Sequence, residues 1–134
     1  MCPIAYTTDE KQELAKWLTD SFQWDYFLTV TFRWWARPEQ SQPHFSYIRR
    51  ALTSYAPQHL FLGAELHKKG DLHVHGLYQS AVLAEAPWPR AQELWHVLFK
   101  RFGRSKVEVI RSQGDVVNYC TKYVTKELTD YNIW

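Results

Sequence analysis

The chain has 134 residues, of which 46% are hydrophobic and 16% aromatic; that suffices for one compact domain, taken as residues 1–134, and leaves no room for a second. A net charge of +2 names no partner by itself, and the two cysteines, Cys2 and Cys120, lack CxxC spacing, which argues against a disulfide framework or a four-cysteine zinc site. The apolar runs fall far short of the roughly 20 residues that a membrane helix needs, and MCPIAYTTDEK carries no apolar signal stretch, so a soluble cytoplasmic protein with no membrane partner is expected.

In chain order, Thr7 or Thr8 offers an N-cap, acidic residues follow, and Leu14, Trp17 and Leu18 recur at helical spacing, predicting a helix over about 8–21. DYFLTVTFRWW is rich in β-branched and aromatic residues and predicts a strand at 26–33. ARPEQSQP reads as a loop bounded by Pro38 and Pro43. Phe45, Ile48, Ala51 and Leu52 then mark a second helix from His44 to Tyr55, stopped by Pro57. HLFLGAELH and LHVHGLYQ are two strands joined by a hairpin turn at KKGD.

APWPR is expected to be irregular because of its prolines, and AQELWHVLFKRF to be a third helix carrying Leu94, Trp95, Leu98 and Phe102 on one side. KVEVI is a short strand, and GDVVNYCTKYVTKELTDY reads as a last helix capped at Gly114 and Asp115. This order suits an α+β fold: a ferredoxin-like antiparallel sheet of four or five strands with helices packed against it.

Three sets of side chains carry candidate chemistry. In a strand, residues i and i+2 share a face, so His73 and His75 present two imidazoles together while Leu72, Val74 and Gly76 turn away. A three-residue turn, Lys68, Lys69 and Gly70, with Gly70 in the left-handed conformation, would set Glu65 opposite His73; a two-residue turn would set it opposite Val74, on the wrong face. The longer turn gives two imidazoles and a carboxylate on one face, a donor set suited to Mn²⁺ or Mg²⁺ and acceptable to zinc, with His67 as an additional ligand or phosphate contact.

Downstream, Tyr119, Lys122, Tyr123 and Lys126 fall on one helical stripe, while Val116, Val117, Cys120, Val124 and Leu128 occupy another. Tyrosine ionises near pH 10, so attack on a phosphate at neutral pH needs a neighbouring ammonium or metal, and Lys122 and Lys126 stand where they can supply the former. Cations form the third set. Arg33 and Arg37 flank Trp34 and Trp35, Lys68 and Lys69 sit in the hairpin turn, and Lys100, Arg101, Arg104 and Lys106 cluster, a mixture able to hold phosphates and unstacked bases.

Taken together, these segments resemble the HUH endonuclease family. FLTVTF is similar to the first motif of rolling-circle replication initiators, ELHKKGDLHVH to the second, and NYCTKYVTK to the third, and the repeat of Tyr119 with Lys122 at Tyr123 with Lys126 resembles the two-tyrosine initiators of some phages and transposons. The resemblance implies a five-stranded antiparallel sheet with a tyrosine helix beside Mn²⁺ or Mg²⁺ held by Glu65, His73 and His75. It implies tyrosine attack on single-stranded or unwound origin DNA, leaving a 5′-phosphotyrosine and a free 3′-OH, with Tyr119 expected to act first. No GxxxxGK[ST] loop occurs in these residues, so a host or separate helicase is the expected partner. Two readings compete: an HUH-type single-strand transposase, which pairs its tyrosine helix across a dimer, and a non-catalytic nucleic-acid-binding module that stacks bases on its aromatics.

Overall fold

The computed structural model describes residues 6–66, 68–81 and 87–134. They form α1 (Thr8–Ser21), β1 (Tyr26–Thr31), α2 (Ser41–Leu52), β2 (Pro57–Leu66), β3 (Leu72–Ser80), α3 (Pro87–Arg101), β4 (Ser105–Val109), α4 (Gln113–Tyr119) and β5 (Leu128–Ile133). Short 3-10 turns lie at Pro38–Gln40 and Thr53–Tyr55, and a π-helical turn at Cys120–Val124 follows α4 directly.

Local chemistry explains most boundaries. Helix α1 opens on a reciprocal capping box: Glu10 N–H donates to the Thr7 hydroxyl and Thr7 N–H to the Glu10 carboxylate, each at 3.1 Å. Two expectations about proline need correcting. Pro43 lies inside the first turn of α2, and Pro87 and Pro89 lie inside the first turn of α3, which therefore begins four residues earlier than AQELWHVLFKRF suggested. The first turn of a helix has no internal acceptors for its N–H groups, so a residue without one costs nothing there.

The sheet runs β4-β1-β3-β2-β5, with every neighbouring pair antiparallel. Its first four strands follow the ferredoxin-like order, and the α+β expectation holds. The fifth strand corrects the reading of the C-terminal segment as helix. After the π turn the chain reverses, and Leu128–Ile133 pairs with the free edge of β2. Leu60 and Trp134 exchange two backbone hydrogen bonds at 3.0 and 2.9 Å, and the Asp130 carboxylate accepts from Ser41, Gln42 and Tyr6. These long-range bonds outweigh the helical spacing of Val124 and Leu128.

Strand alternation divides the core between two faces. Tyr26, Leu28 and Val30 of β1, Leu60, Leu62 and Ala64 of β2, and Leu72, Val74 and Tyr78 of β3 pack against Phe45, Ile48 and Leu52 of α2 and Leu94 and Leu98 of α3. On the opposite face Phe61 and Leu77 meet Ala15 and Leu18 of α1, Val116 and Tyr119 of α4, Cys120 and Val124 of the π turn, and Leu128. Among the described residues no helix is long and apolar enough to cross a membrane.

Gly76 shows how closely the sheet is packed. A Cβ there would lie 2.9 Å from the Phe61 carbonyl oxygen and 2.8 Å from Leu62 Cδ2. Gly76→Ala should cost about 1–3 kcal/mol through displacement of backbone that cannot yield cheaply, read as a lower denaturation midpoint in urea.

Candidate functional site

The expected hairpin register is present. Glu65 pairs with His73 and Gly63 with His75, while on the other side of β3 Thr31 pairs with His73 and Thr29 with His75. Gly70 has φ +89°, the left-handed conformation that the turn requires. The middle of the sheet thus gathers two threonines, two imidazoles and a carboxylate on the face toward α1 and α4.

His75 is buried and held from both ends of its ring. Its Nε2 lies 2.7 Å from Glu65 Oε2, and its Nδ1 lies 3.4 Å from the Thr29 hydroxyl. Burial pushes the Glu65 carboxyl up, but hydrogen bonds to His75 and Glu127 and the charges of His75 and His73 outweigh it and hold the group at about 2. Glu127 was not singled out from sequence. It follows the π turn, and its hydrogen bond to Glu65, with burial and the Glu65 charge, raises its own carboxyl above the usual value of 4.5. A Glu eight residues past Tyr119 carries no spacing signal, because a chain reversal, not helical periodicity, delivers it.

The tyrosines arrive from above. Tyr123 stacks on the His75 ring, centroids 3.8 Å apart and planes 22° from parallel. Tyr119 stacks on Phe27 at 4.9 Å, and the two tyrosine rings lie 5.1 Å apart. Thr125 N–H reaches back to the Cys120 carbonyl at 3.0 Å, an i to i+5 bond that makes the turn between the tyrosines wider than an α-helical one. The hydroxyl of Tyr119 is buried and, among the described residues, without a hydrogen-bond partner, and burial, with Cys120, Tyr123 and Glu65 nearby, pushes its phenol well above 10.0. Lys122 Nζ lies 5.0 Å from the Tyr123 ring centroid, and a hydrogen bond to Tyr123 raises the Lys122 ammonium above 10.5. Tyr123 is therefore the more accessible of the pair. Of the predicted apolar stripe, Val116, Cys120, Val124 and Leu128 are buried, whereas Val117 is 46% exposed, and Tyr119 lies on the buried side.

A cleft of about 690 Å³ opens over this face, lined by Thr29, Thr31, His73, His75, Tyr119, Lys122 and Tyr123 together with Lys69, Arg104 and Lys106. Arg33, Arg37, Lys68, Lys100, Arg101 and Lys126 do not line it. Arg33 instead donates to the Lys100 carbonyl at 2.7 Å. His67 lies outside the described residues.

Glu65, His73 and His75 fit a divalent ion in donor type and in sharing one sheet face. Among the described residues no three such side chains are gathered as a ligand group, and Glu65 and His75 close on each other. An ion bonded at about 2.0–2.2 Å to each needs those two to part.

The family model for the replication-associated protein ORF2 matches residues 25–128, a span from just before β1 to the start of β5 that includes every group described above except those of α1. No curated protein matches the chain.

The Glu65–Glu127 pair has a pH signature. A carboxyl whose folded pKa is raised contributes stability below pH 4.5 and loses it as pH rises through the folded value. Glu127→Gln, which donates at every pH, should melt at a higher temperature than the parent at neutral pH, with the difference vanishing below pH 4.5, as read by calorimetry across pH.

Proposed function

The chain belongs to the replication-associated protein ORF2 family, which points to a role in replication initiation and to DNA binding at an origin, and from that premise we propose that it is an HUH-type nickase and strand-joining enzyme. The observation that carries this reading is the stack of Tyr123 on His75 inside a cation-bordered cleft. A phenol and an imidazole at 3.8 Å in a site lined by Lys69, Arg104, Lys106 and Lys122 suit attack on a phosphodiester.

In this reading single-stranded origin DNA enters the cleft with its scissile phosphate over the His73–His75 pair. The Tyr123 oxygen attacks phosphorus, the bond from phosphorus to the 3′ oxygen breaks, that oxygen leaves as a 3′-OH after taking a proton, and the 5′-phosphate stays on tyrosine. The Lys122 ammonium, 5.0 Å from the Tyr123 ring centroid, places positive charge beside the attacking residue. Thr29 and Glu65 orient His75, and Glu127 stands against Glu65. Glu65, His73 and His75 would hold Mn²⁺ or Mg²⁺, which supplies Lewis-acid polarisation of the phosphate. Tyr119, one turn deeper, serves as a second nucleophile, so a strand held on one tyrosine can be exchanged to the other without loss of phosphodiester energy. This ordering reverses the expectation that Tyr119 acts first.

Two competing readings lose support. Tyr123 and His75 meet within one chain, so no second copy is needed to complete the site, as a dimeric transposase would need. A module stacking bases on its sheet requires an open face, and here α1 and α4 cover part of it.

With labelled single-stranded origin DNA and Mn²⁺, the protein should form an adduct that survives denaturant. Tyr123→Phe should lower its yield by at least about 10²-fold, since loss of a nucleophile removes the covalent route, and Tyr119→Phe should lower it less while keeping the melting temperature, because its hydroxyl has no partner to lose. Adduct formation unchanged in the double variant would overturn the assignment. By calorimetric titration, His73→Ala and His75→Ala should each weaken Mn²⁺ binding by about 10-fold or more; unchanged binding removes the proposed metal site.

A further inference from the structure

The segment leaving β1 carries two adjacent tryptophans with different surroundings. Trp34, 42% exposed, is tethered: its indole N–H donates to His44 Nε2 at 3.2 Å, and its ring lies 5.2 Å from Phe32 and 6.3 Å from Phe102. Trp35 is 60% exposed and, among the described residues, has neither ring contact nor indole hydrogen bond. The backbone beneath it is nevertheless fixed, since Arg33 N–H donates to the Phe102 carbonyl at 2.8 Å and Leu72 N–H to the Ala36 carbonyl at 2.9 Å. A large aromatic face is thus held toward solvent on an anchored backbone. Trp35 also abuts the β2–β3 turn: a methyl placed on Gly70 would lie 3.9 Å from its ring. The residues on either side of Gly70, Lys69 and Asp71, line the cleft.

We propose that Trp35 is a stacking platform for an unpaired base of the single strand that occupies the cleft, just where that strand passes the hairpin turn. This inference rests on the nickase reading. Two features commit it to single-stranded nucleic acid rather than to a protein partner. The platform adjoins the wall of the cleft, and exposed cations stand on both segments that meet there (Arg37 two residues on, Lys68 and Lys69 in the turn). The anchored backbone favours the role, because little conformational freedom is lost when a base docks.

The test is fluorescence anisotropy with a labelled oligothymidine of about twelve nucleotides, titrated at several salt concentrations. Trp35→Ala should weaken binding about 5- to 150-fold, Trp35→Leu by a similar factor because it keeps apolar contact but has no π-face, and Trp35→Phe should restore most of the affinity. The slope of log affinity against log salt should stay as in the parent, since no phosphate contact is lost. Unchanged affinity in Trp35→Ala and Trp35→Leu, with the parent still forming its covalent adduct, overturns the platform and leaves the nickase reading standing. A loss accompanied by a shallower salt slope also overturns it, because the contact is then to phosphate. Failure of the parent protein to bind the oligonucleotide while it still forms its adduct on origin DNA overturns the platform alone; failure in both assays overturns both readings together.

Discussion

The pairing of Glu65 with His73 across the β2–β3 hairpin is the constraint on which the site depends. Paired residues share a face, so this register puts Glu65, His73 and His75 together and gives Leu62, Ala64, Leu72 and Val74 to the α2 and α3 core. A slip by one residue would turn both imidazoles toward Phe45 and Ile48 and expose the valine. Burial of unsatisfied polar rings and loss of an apolar layer both oppose the slip, so the core and the chemistry select the same register. Strand β1 adds the second constraint. Thr29 and Thr31 stand opposite His75 and His73, and the Thr29 hydroxyl approaches the ring nitrogen that Glu65 does not reach.

The two faces of the sheet do different work. The α2 and α3 face is apolar almost throughout and carries the larger core. The other face interrupts its core with ionisable groups: next to buried Leu77, Val116 and Val124 sit His75, Glu65 and a Tyr119 hydroxyl with no partner among the described residues. Leaving such a hydroxyl unsatisfied costs about 1–3 kcal/mol, a cost that the rest of the domain offsets. Here the π turn lies directly after the buried Tyr119, whose hydroxyl has no partner among the described residues. The π turn keeps Tyr119 and Tyr123 on one side, yet assigns them different depths, one over Phe27 and one over His75.

Several of these features follow from residue types at short range. The capping box at Thr7 and Glu10, the alternation of YFLTVT and the HVH pair each depend on interactions within a few positions, and the glycine at 70 implies the turn that sets the register. The misreadings arise where distant partners decide. Pro43, Pro87 and Pro89 look like breakers until helix starts are located, and Val117 looks apolar and buried until the packing of α4 is known. The segment LTDYNI continues a helical spacing from Val124 to Leu128, and only the open edge of β2 turns it into a strand. With that turn comes Glu127, which no periodicity connects to Glu65.

The amino-acid sequence alone determined the α+β class, the face shared by two imidazoles and a carboxylate, and the nearness of two tyrosines on one helical segment, because strand alternation and helical pitch act over two to four residues. Tertiary structure decided which tyrosine lies over His75, which tryptophan is tethered to His44 and which second carboxylate meets Glu65. Those outcomes depend on how separate elements are packed together, and no spacing along a chain encodes the distance between residues that meet only when the sheet and its helices close.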